Sequence, residues 1–550
     1  MEISDTLTLD EFYQKHPLPK NLPKENNAGL RDDRPNIIFI LVDDARWDSY
    51  SCNGAPDFFQ TPNIDRIANE GVNFKNFFAV LSLCTPSRGV FFTGLYPHKT
   101  GAISNPENIS GGIPWLSSIL QDAGYYNILS GKLGFDPDSI RGFNNFMIST
   151  LESYDPGRYS ISVGDTVWSL VIEGHTTDLI KEYAEGQIVN RPPDQPFFLY
   201  MAERAPHVPY IPRPQEADLF ANDTMPYFNA QKYTDNFPSY YYPYNQAPGV
   251  LEQDSEYRGY FRMLMGVEQT LGDLFYYLDH DTLADKSTLM DHTVVMFSSD
   301  NGNLKSEHLL QGKQMPQEES IRLPMFIRYK TWFPEHKDIE TMGLNVDWAK
   351  TIIDAAEIPD TYGMDGISMR ELAEGKPREA MMYEVFSEDE TPSMRMVRTK
   401  YFKYIKSFCL NNTEQLFDLV NDPIENVNLI NDPFYQTVAQ YYRCKLDSIR
   451  KALDDTAPDS IIDCKQKNGD SSHFGASENP GPIGSCIFPV WDQDTTFQVV
   501  GIDDPLNAEK TYEVIIYNLI GNVVSRENRY FPNAPQNELL LSNRLSPGLY

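Results

Sequence analysis

The chain has 550 residues, with 46 Lys and Arg against 78 Asp and Glu, which gives a formal net charge of −32. This sign excludes the basic footprint that nucleic-acid binding requires. At roughly 100–200 residues per domain, the length allows two to four domains. A hydrophobic content of 41%, with 13% aromatic residues, excludes disorder for most of the chain.

Residues 1–34 are polar and contain Pro17, Pro19 and Pro23, so we expect an extended N-terminal arm rather than a folded unit. The N-terminus as written has no basic stretch followed by an apolar one, and no secretory signal is predicted there. The longest apolar run, Asn36–Val42, is much shorter than the roughly 20 residues that a membrane span needs.

Apolar runs typical of buried strands alternate with helical stretches over residues 35–360. The strand-like runs are Ile37–Val42, Tyr126–Leu129, Phe197–Met201 and Thr293–Ser298, and the helical stretches are Asn63–Glu70 and Tyr260–Leu278. This alternation predicts an α/β domain in which a large, mostly parallel sheet lies between helices. A smaller α+β subdomain is expected over residues 361–464, with a strand at Tyr401–Ile405 and a helix at Gln436–Leu453.

The last part of the chain changes composition. Residues 465–486 are rich in Gly, Ser and Pro, which favours a flexible linker. Residues 487–550 read as a short β-sandwich, with strands at Thr511–Tyr517, Val523–Arg526 and Glu538–Leu541. Six cysteines are too few for a disulfide scaffold, and the sequence leaves open whether Cys464 and Cys486 are bridged.

Polar residues follow four of the buried runs directly. They are Asp43-Asp44, Gly131-Lys132, the segment up to His207, and Asp300-Asn301. Ligands of open α/β sheets bind outside the carboxyl ends of the strands, so we expect these side chains to meet at one edge. Three carboxylates and one amide form an all-oxygen set that suits calcium or magnesium. The alternative is that the acids are ordinary helix caps and solvated turns.

The segment Leu83–Gly94 combines a cysteine with a helix start. Cys84 stands just before Pro86, where the free N–H groups and the dipole of a helix favour an anion. An isolated cysteine is more often a buried structural residue, which is the alternative here. The surrounding residues decide between the two, because Cys84-x-Pro86-Ser87-Arg88, followed by Thr93-Gly94, resembles the signature of the type I sulfatases.

The resemblance to these formylglycine-dependent enzymes of the alkaline-phosphatase-like superfamily covers residues of about 35 to 455. It implies their fold, and it implies that Cys84 is oxidised after translation to formylglycine, whose hydrate is the nucleophile. The implied catalytic residues are Cys84, Arg88, Lys132, His207 and Lys313. The implied ligands of one calcium ion are Asp43, Asp44, Cys84, Asp300 and Asn301.

The resemblance also implies a role for each catalytic side chain. Arg88 would brace the formylglycine and the metal-binding acids. Lys132 and Lys313 would hold the sulfate oxygens, and His207 or Lys313 would protonate the departing alcohol. Without the resemblance, each lysine and the histidine would be read as a surface or loop residue.

One position departs from the pattern of many sulfatases. They follow Gly-Lys with an aromatic residue and a histidine, whereas Gly134 stands at the histidine position here. Glucosamine-6-sulfatase-like members also lack this histidine, and the segment His175–Asp178 loosely resembles theirs, so the chain is placed nearest to them. His308 is a further candidate for the site, with a loop residue as the alternative.

Residues 511–550 resemble the sorting domains of the type IX secretion system. This resemblance implies a secreted, cell-surface or periplasmic protein of a bacterium, in which Met1 replaces a removed signal peptide. An accessory carbohydrate-binding or spacer domain is the alternative. The implied partners are a sulfated carbohydrate, a formylglycine-generating or sulfatase-maturating enzyme and the secretion machinery.

Three functions follow from these observations. The first is hydrolysis of sulfate esters of a sulfated carbohydrate. The second is hydrolysis of phosphonates or phosphodiesters with the same nucleophile, against which Asn301 argues because the phosphate-cleaving relatives more often place a histidine there. The third is glycan binding by a sulfatase homologue that has lost its activity.

Overall fold

The computed structural model describes residues 6–17, 34–150, 154, 157–163, 166–226, 250–283, 286–386, 392–408, 413–456, 495–501, 511–518 and 523–530. Its strands are β1 (Thr6–Leu7), β2 (Asn36–Val42), β3 (Val72–Phe74), β4 (Phe77–Phe78), β5 (Tyr126–Gly131), β6 (Asn145–Ser149), β7 (Gly157–Val163), β8 (Thr166–Ile172), β9 (Phe197–Ala202), β10 (Thr293–Ser299), β11 (Leu304–Lys305), β12 (Gln311–Gly312), β13 (Arg322–Leu323), β14 (Met325–Arg328), β15 (Lys337–Ile339), β16 (Gly343–Leu344), β17 (Met381–Val385), β18 (Met394–Arg398), β19 (Phe402–Ser407), β20 (Glu414–Asp418), β21 (Thr495–Gly501), β22 (Thr511–Asn518) and β23 (Val523–Tyr530). Its α-helices are α1 (Leu9–Lys15), α2 (Pro62–Asn69), α3 (Cys84–Thr93), α4 (Pro97–Thr100), α5 (Leu116–Asp122), α6 (Thr176–Val189), α7 (Val250–His280), α8 (Glu318–Ile321), α9 (Asp347–Ala355), α10 (Met369–Ala373) and α11 (Gln436–Ala452).

The central layer is an 11-stranded sheet in the order β1-β8-β7-β6-β5-β9-β2-β10-β14-β3-β15. The five strands from β6 to β10 in this order run parallel, and antiparallel pairs lie on both sides of them. The interior strands β2, β5, β9 and β10 are buried along their whole length, which is why they read as continuous apolar runs. The predicted α/β class is confirmed.

Helices cover both faces of this sheet. Alternate side chains of β2 show the division, since Ile38 packs with α2, α6 and α7 in one hydrophobic cluster. Phe39 packs with α3, α5 and α9 in a second cluster on the other face. The result is three layers, with the carboxyl ends of the parallel strands open at one edge of the sheet.

A four-stranded antiparallel sheet, β17-β18-β19-β20, packs with α11 in the C-terminal unit. It shares a hydrophobic cluster with Phe78 and Val90 of the large domain. Met369 and Leu372 of α10 still pack in the core of the large domain, so the antiparallel unit begins at β17, after the expected boundary at residue 361.

The expectation of an extended arm over residues 1–34 is wrong for Thr6–Lys15. Strand β1 pairs in parallel with β8, and helix α1 follows it. Thr8 and Glu11 form a reciprocal capping box at the start of this helix. Leu9 and Phe12 are buried in the main core, which holds the segment in place.

The C-terminal strands β21, β22 and β23 form an antiparallel three-stranded sheet. The predicted strands at Thr511–Tyr517 and Val523–Arg526 are confirmed. The predicted strand Glu538–Leu541 and the pair Cys464 and Cys486 lie outside the described residues.

Cys444 of α11 is disulfide-bonded. Among the described residues, every helix is too short or too polar to cross a membrane.

Candidate active site

The predicted site residues converge because their strands are neighbours. The order β5-β9-β2-β10 brings together, at one edge of the sheet, Lys132, His207, Asp43-Asp44 and Asp300-Asn301. Helix α3 adds Cys84 and Arg88, and the short hairpin of β11 and β12 leads directly to Lys313. All the predicted residues therefore lie in one group.

Cys84 is the first residue of α3 and lies at the centre of this group. It is 5% exposed and is a free cysteine. Its Sγ donates to Asp43 Oδ1 over 3.3 Å, and it accepts from Lys313 Nζ over 2.8 Å and from Lys132 Nζ over 3.4 Å. Both ammonium groups also bind acids, Lys132 to Asp43 and Lys313 to Asp44.

Arg88 is fully buried one helical turn further along α3. Its Nε lies 3.0 Å from Asp300 Oδ2, and a terminal nitrogen lies 2.9 Å from the same oxygen. The same nitrogen is 3.9 Å from Asp43 Oδ2, while the other donates to the Lys132 carbonyl over 2.7 Å. Arg88 thus ties the ends of β2, β5 and β10 together.

The side chains predicted to hold a metal ion have a chemistry that fits a hard cation. Ligand atoms of Asp43, Asp44, Cys84 and His207 all lie within 4.8 Å of one another. Asn301 Nδ2 donates to Asp44 Oδ1 over 2.7 Å and to the Gly302 carbonyl, whereas its buried Oδ1 has no hydrogen-bond partner among the described residues. Carboxylates together with an unpartnered amide oxygen are ligands of the kind that Ca²⁺ and Mg²⁺ prefer.

Asp300 lies against this set but is more fully engaged. Its Oδ1 accepts from the backbone N–H groups of Asp44 and Asn301, over 3.2 and 2.9 Å, and its Oδ2 faces Arg88. Asp44 itself adopts a left-handed backbone, with φ of 66°. A non-glycine residue there is strained, as is common at functional sites.

His207 lies on the loop after β9, with Nε2 3.7 Å from Asp44 Oδ2. Its Nδ1 is 2.6 Å from the Val208 carbonyl, which can only accept a hydrogen bond. Nδ1 therefore carries a proton, and Nε2 is the ring atom that faces the acids.

Burial and the neighbouring charges shift the pKa values of the Asp43 carboxyl and the Cys84 thiol. Burial opposes ionisation of Asp43, but Lys132, His207, Arg88 and Lys313 hold the pKa of its carboxyl well below the usual range. Burial, together with the neighbouring Asp43, raises the pKa of the Cys84 thiol to about 12. The encoded cysteine is therefore a protonated thiol at neutral pH, which is a poor nucleophile.

The structure explains the departure at Gly134. Its φ is +91°, and a Cβ added there would lie 3.0 Å from Arg88 Cδ. The Gly134 carbonyl accepts a hydrogen bond from Thr85 Oγ1 over 2.7 Å, which fixes this backbone against α3. A histidine at this position would displace Arg88 unless the loop followed a different path.

We expect Gly134→Ala to be more harmful than Gly112→Ala. Both glycines have a left-handed backbone, with φ of +91° and +89°, so each substitution carries a similar strain of about 1–2 kcal/mol. Only Gly134 has a neighbour to be displaced, since a Cβ at Gly112 meets nothing within 4 Å. Denaturant unfolding should show the larger loss of unfolding free energy for Gly134→Ala, together with lower activity. Equal losses and equal activities would contradict the crowding of Arg88.

The other two candidate histidines have different surroundings. His175 is the N-cap of α6, where Nδ1 accepts from the Thr177 N–H and Nε2 bonds the Ile211 carbonyl over 2.9 Å. This position supports the loop that carries His207. His308 is buried, and burial together with Lys403 of β19 lowers its pKa to about 4, so it is neutral and close to the C-terminal unit.

Sequence reasoning missed two kinds of residue near the site. Asn345 donates to Ser87 Oγ over 3.0 Å, and Ser87 donates to the Asp300 carbonyl, which anchors α3 to the segment that follows β10. Ser87 is part of the signature, but nothing in the sequence points to Asn345. Lys305 and Tyr210 likewise meet only through the fold.

Comparisons with known proteins agree with this geometry. The family model described as Sulfatase matches residues 35–358, and the model described as N-sulphoglucosamine sulphohydrolase, C-terminal, matches residues 306–452. An N-acetylglucosamine-6-O-sulfatase of Bacteroides thetaiotaomicron is 26% identical, over 78% of this chain and 88% of that protein. An arylsulfatase of Clostridium perfringens is also 26% identical, over 76% of this chain and 94% of that protein.

A solved structure of a protein in complex with its substrate D-glucosamine-2-N,6-O-disulfate superimposes with a TM-score of 0.72. It is 24% identical in sequence, and the match covers 78% of this chain and 99% of that chain. This likeness confirms the predicted alkaline-phosphatase-like fold.

Proposed function

The chain belongs to the sulfatase family and is a sulfuric-ester hydrolase, and from this premise we propose that it cleaves sulfate esters of a carbohydrate, with Cys84 converted to formylglycine and one calcium ion bound. The observation that carries the proposal is the position of Cys84 Sγ, at the start of α3 and within 3.4 Å of both Lys132 and Lys313. A group at this position is surrounded by the donors that a sulfate ester requires.

The protonation of Cys84 supports the conversion. Burial and Asp43 raise the pKa of the Cys84 thiol to about 12, which disfavours the thiolate that a cysteine nucleophile requires at neutral pH. The hydrate of formylglycine supplies two hydroxyl groups, one of which attacks sulfur while the other later expels sulfate and restores the aldehyde.

The metal-binding role rests on the oxygen donors of Asp43, Asp44, Asp300 and Asn301. The buried and unpartnered Oδ1 of Asn301 supports this role, because such an atom is costly unless a cation or a donor faces it. A bound calcium ion would neutralise sulfate oxygens and polarise sulfur. Arg88, which contacts both Asp300 and Asp43, would hold these acids in position.

The two lysines and His207 provide the remaining chemistry. Lys132 and Lys313 both donate to Cys84 Sγ and would bind sulfate oxygens. His207 Nε2 is available on the same side as Asp44. Either His207 or Lys313 would donate the proton to the departing alcohol oxygen.

The relatives support a sulfated sugar as the substrate, since one of them is named an N-acetylglucosamine-6-O-sulfatase. We therefore place the protein among the enzymes that act on sulfated sugars. Maturation would need a separate formylglycine-generating or sulfatase-maturating enzyme. Strands β22 and β23 belong to the region that resembles a type IX sorting domain, which supports action outside the cytoplasm.

Sulfate release from a panel of esters tests this function. We expect the mature protein to act on a sulfated sugar, such as N-acetylglucosamine-6-sulfate or glucosamine-2-N,6-O-disulfate, with a kcat/KM at least about tenfold above that for an aryl sulfate. A phosphonate monoester and a phosphodiester are included for the alternative chemistry. Activity on these two alone, or on the aryl sulfate alone, would contradict the proposal.

A further inference from the structure

Lys305 is a buried cation next to the proposed reaction centre. It lies on β11, opposite Gln311 of β12, and the chain passes from β12 directly to Lys313. The residue is only 3% exposed to solvent. Lys305 and Lys313 therefore approach the site from the same hairpin, although only Lys313 contacts Cys84.

The ammonium of Lys305 is surrounded by aromatic rings. Its Nζ donates to the Tyr210 hydroxyl and lies 4.7 Å from the centroid of that ring and 5.2 Å from the centroid of Tyr260. The acids that pair with Lys132 and Lys313 have no counterpart here, since no described carboxylate forms an ion pair with Lys305. The rings stabilise the cation without neutralising it.

Several hydrogen bonds hold the Lys305 backbone in place. Its carbonyl accepts from the Tyr257 hydroxyl over 2.6 Å, and its N–H donates to Glu307 over 2.6 Å. Glu307 in turn forms an ion pair with Arg46, at 2.7 Å. Arg46 stands two residues after Asp44, one of the proposed metal ligands. The cation is thus fixed relative to the reaction centre before any substrate binds.

The charge of Asp44 acts on both Lys305 and Tyr210. Burial lowers the pKa of Lys305 to about 8, against the opposing effects of Glu256 and Asp44, so the side chain is an ammonium at neutral pH. Asp44 and Lys313 are also among the charges that act on the Tyr210 hydroxyl. Lys132, by contrast, contacts Asp43 and Cys84.

The Tyr210 hydroxyl, polarised by the Lys305 ammonium, can donate a hydrogen bond to an anionic ligand. Because its oxygen accepts from Lys305, its own proton is free to be donated, and the ammonium makes it a stronger donor. Tyr210 is half-buried, three residues after His207, between Val208 and Ile211, which are 44% and 45% exposed. Part of the Tyr210 side chain is therefore accessible to a ligand, while its hydroxyl contacts the buried cation.

We propose that Tyr210 and Lys305 form a second anionic subsite, in which the Tyr210 hydroxyl binds a sulfate or carboxylate of the substrate other than the ester that is cleaved, and Lys305 supplies the balancing charge. This subsite rests on the proposed function. It implies that the substrate is a carbohydrate with two anionic groups close together. A hydrogen bond to a charged group in such a position corresponds to about 10- to 100-fold in affinity.

The test compares glucosamine-6-O-sulfate with glucosamine-2-N,6-O-disulfate, and with a 6-O-sulfated disaccharide that carries a uronic acid. We expect wild type to prefer one doubly anionic sugar, and the preferred sugar tells sulfate from carboxylate. Tyr210→Phe and Lys305→Met should lower kcat/KM about 10- to 100-fold more on that sugar than on the monosulfate, mainly through KM. Lys305→Arg should retain most of the preference because it keeps the charge.

Tyr276→Phe is the matched control for Tyr210→Phe, because Tyr276 is 67% exposed and lies on α7, sixteen residues beyond Tyr260. It should affect all three sugars equally. Equal losses on all sugars in Tyr210→Phe and Lys305→Met, in proteins whose melting temperatures match that of wild type, would overturn the subsite. So would a wild type that has no preference for either doubly anionic sugar.

Failure of the subsite is distinguishable from failure of the proposed function. If wild type releases no sulfate from any sugar, the proposed function is wrong, and titration calorimetry of the same sugars with Cys84→Ala decides the subsite. Tighter binding of a doubly anionic sugar that disappears in Cys84→Ala with Tyr210→Phe would support it. Equal binding of the mono- and dianionic sugars would overturn it.

Discussion

Cys84→Ala is expected to lower the rate of sulfate release by at least about 10³-fold while leaving the fold intact. The substitution removes the atom from which the proposed nucleophile is made, whereas Asp43, Lys132 and Lys313 remain in place. The side chain is small, so the loss of packing on α3 is modest. Steady-state kinetics on the preferred sulfated sugar measure the rate, and thermal unfolding monitors the fold.

Cys52→Ala is the matched control, because Cys52 is the other free cysteine of the described residues. It lies in the turn after β2 and is half-buried, away from the lysine pair. We expect its activity to stay within about twofold of wild type, as for most substitutions away from a site. Retention of full sulfate release in Cys84→Ala would exclude the formylglycine mechanism.

Removal of divalent metal is expected to abolish sulfate release, and calcium is expected to restore it. Without a metal ion, Asp43 and Asp44 are paired with Lys132 and Lys313, the two lysines that we propose bind the sulfate group. Calcium should also raise the melting temperature, because a ligand at 100 times its Kd stabilises the folded state by about 2.7 kcal/mol. Chelation, dialysis and titration with calcium, followed by activity and thermal unfolding, measure both effects.

Asn301→Ala separates the metal site from general stability. It removes the unpartnered amide oxygen and also the bond to Asp44 Oδ1, so more calcium should be needed for half-maximal activity. Magnesium serves as the comparison ion, since it demands a tighter, octahedral arrangement of ligands. Full activity of a metal-free protein, or a melting temperature that does not respond to calcium, would contradict the proposed site.

The parts of the fold that the sequence predicts are those buried on both faces. Strands β2, β9 and β10 are continuous apolar runs because helices cover both sides of them, and polar residues begin where the sheet edge opens. The convergence of Asp43-Asp44 with Asp300-Asn301 follows from the same logic, since β2 and β10 are parallel neighbours. The Cys84 segment needs no tertiary knowledge, because its signature is local.

The features of the structure that were not predicted are of two kinds. Some depend on contacts between residues far apart in the sequence, and others depend on a local sequence signal that was overlooked. Helix α1 belongs to the second kind, because the capping box of Thr8 and Glu11 is readable in the sequence. The contact of Lys305 with Tyr210 belongs to the first, since 95 positions separate the two residues. Nothing in the local sequence indicates that a loop glycine, Gly134, lies against Arg88.

The strongly negative net charge makes the local arrangement of cations more significant. A formal charge of −32 repels a polyanionic substrate from most of the surface. Three ammonium groups lie beside one edge of the sheet, where the repulsion of an anionic substrate must be overcome. They belong to Lys132, Lys313 and Lys305. The first two are paired with Asp43 and Asp44, whereas no described carboxylate forms an ion pair with Lys305.

The most direct test of the central claim is peptide mass spectrometry across Cys84, on protein co-expressed with a formylglycine-generating enzyme, with sulfate release measured on the same samples. We predict that the peptide carries an aldehyde or its hydrate in place of the thiol, and that specific activity rises in proportion to the converted fraction. An unmodified thiol in protein that releases sulfate at the full rate, or complete conversion without release from any sulfated sugar, would contradict the account.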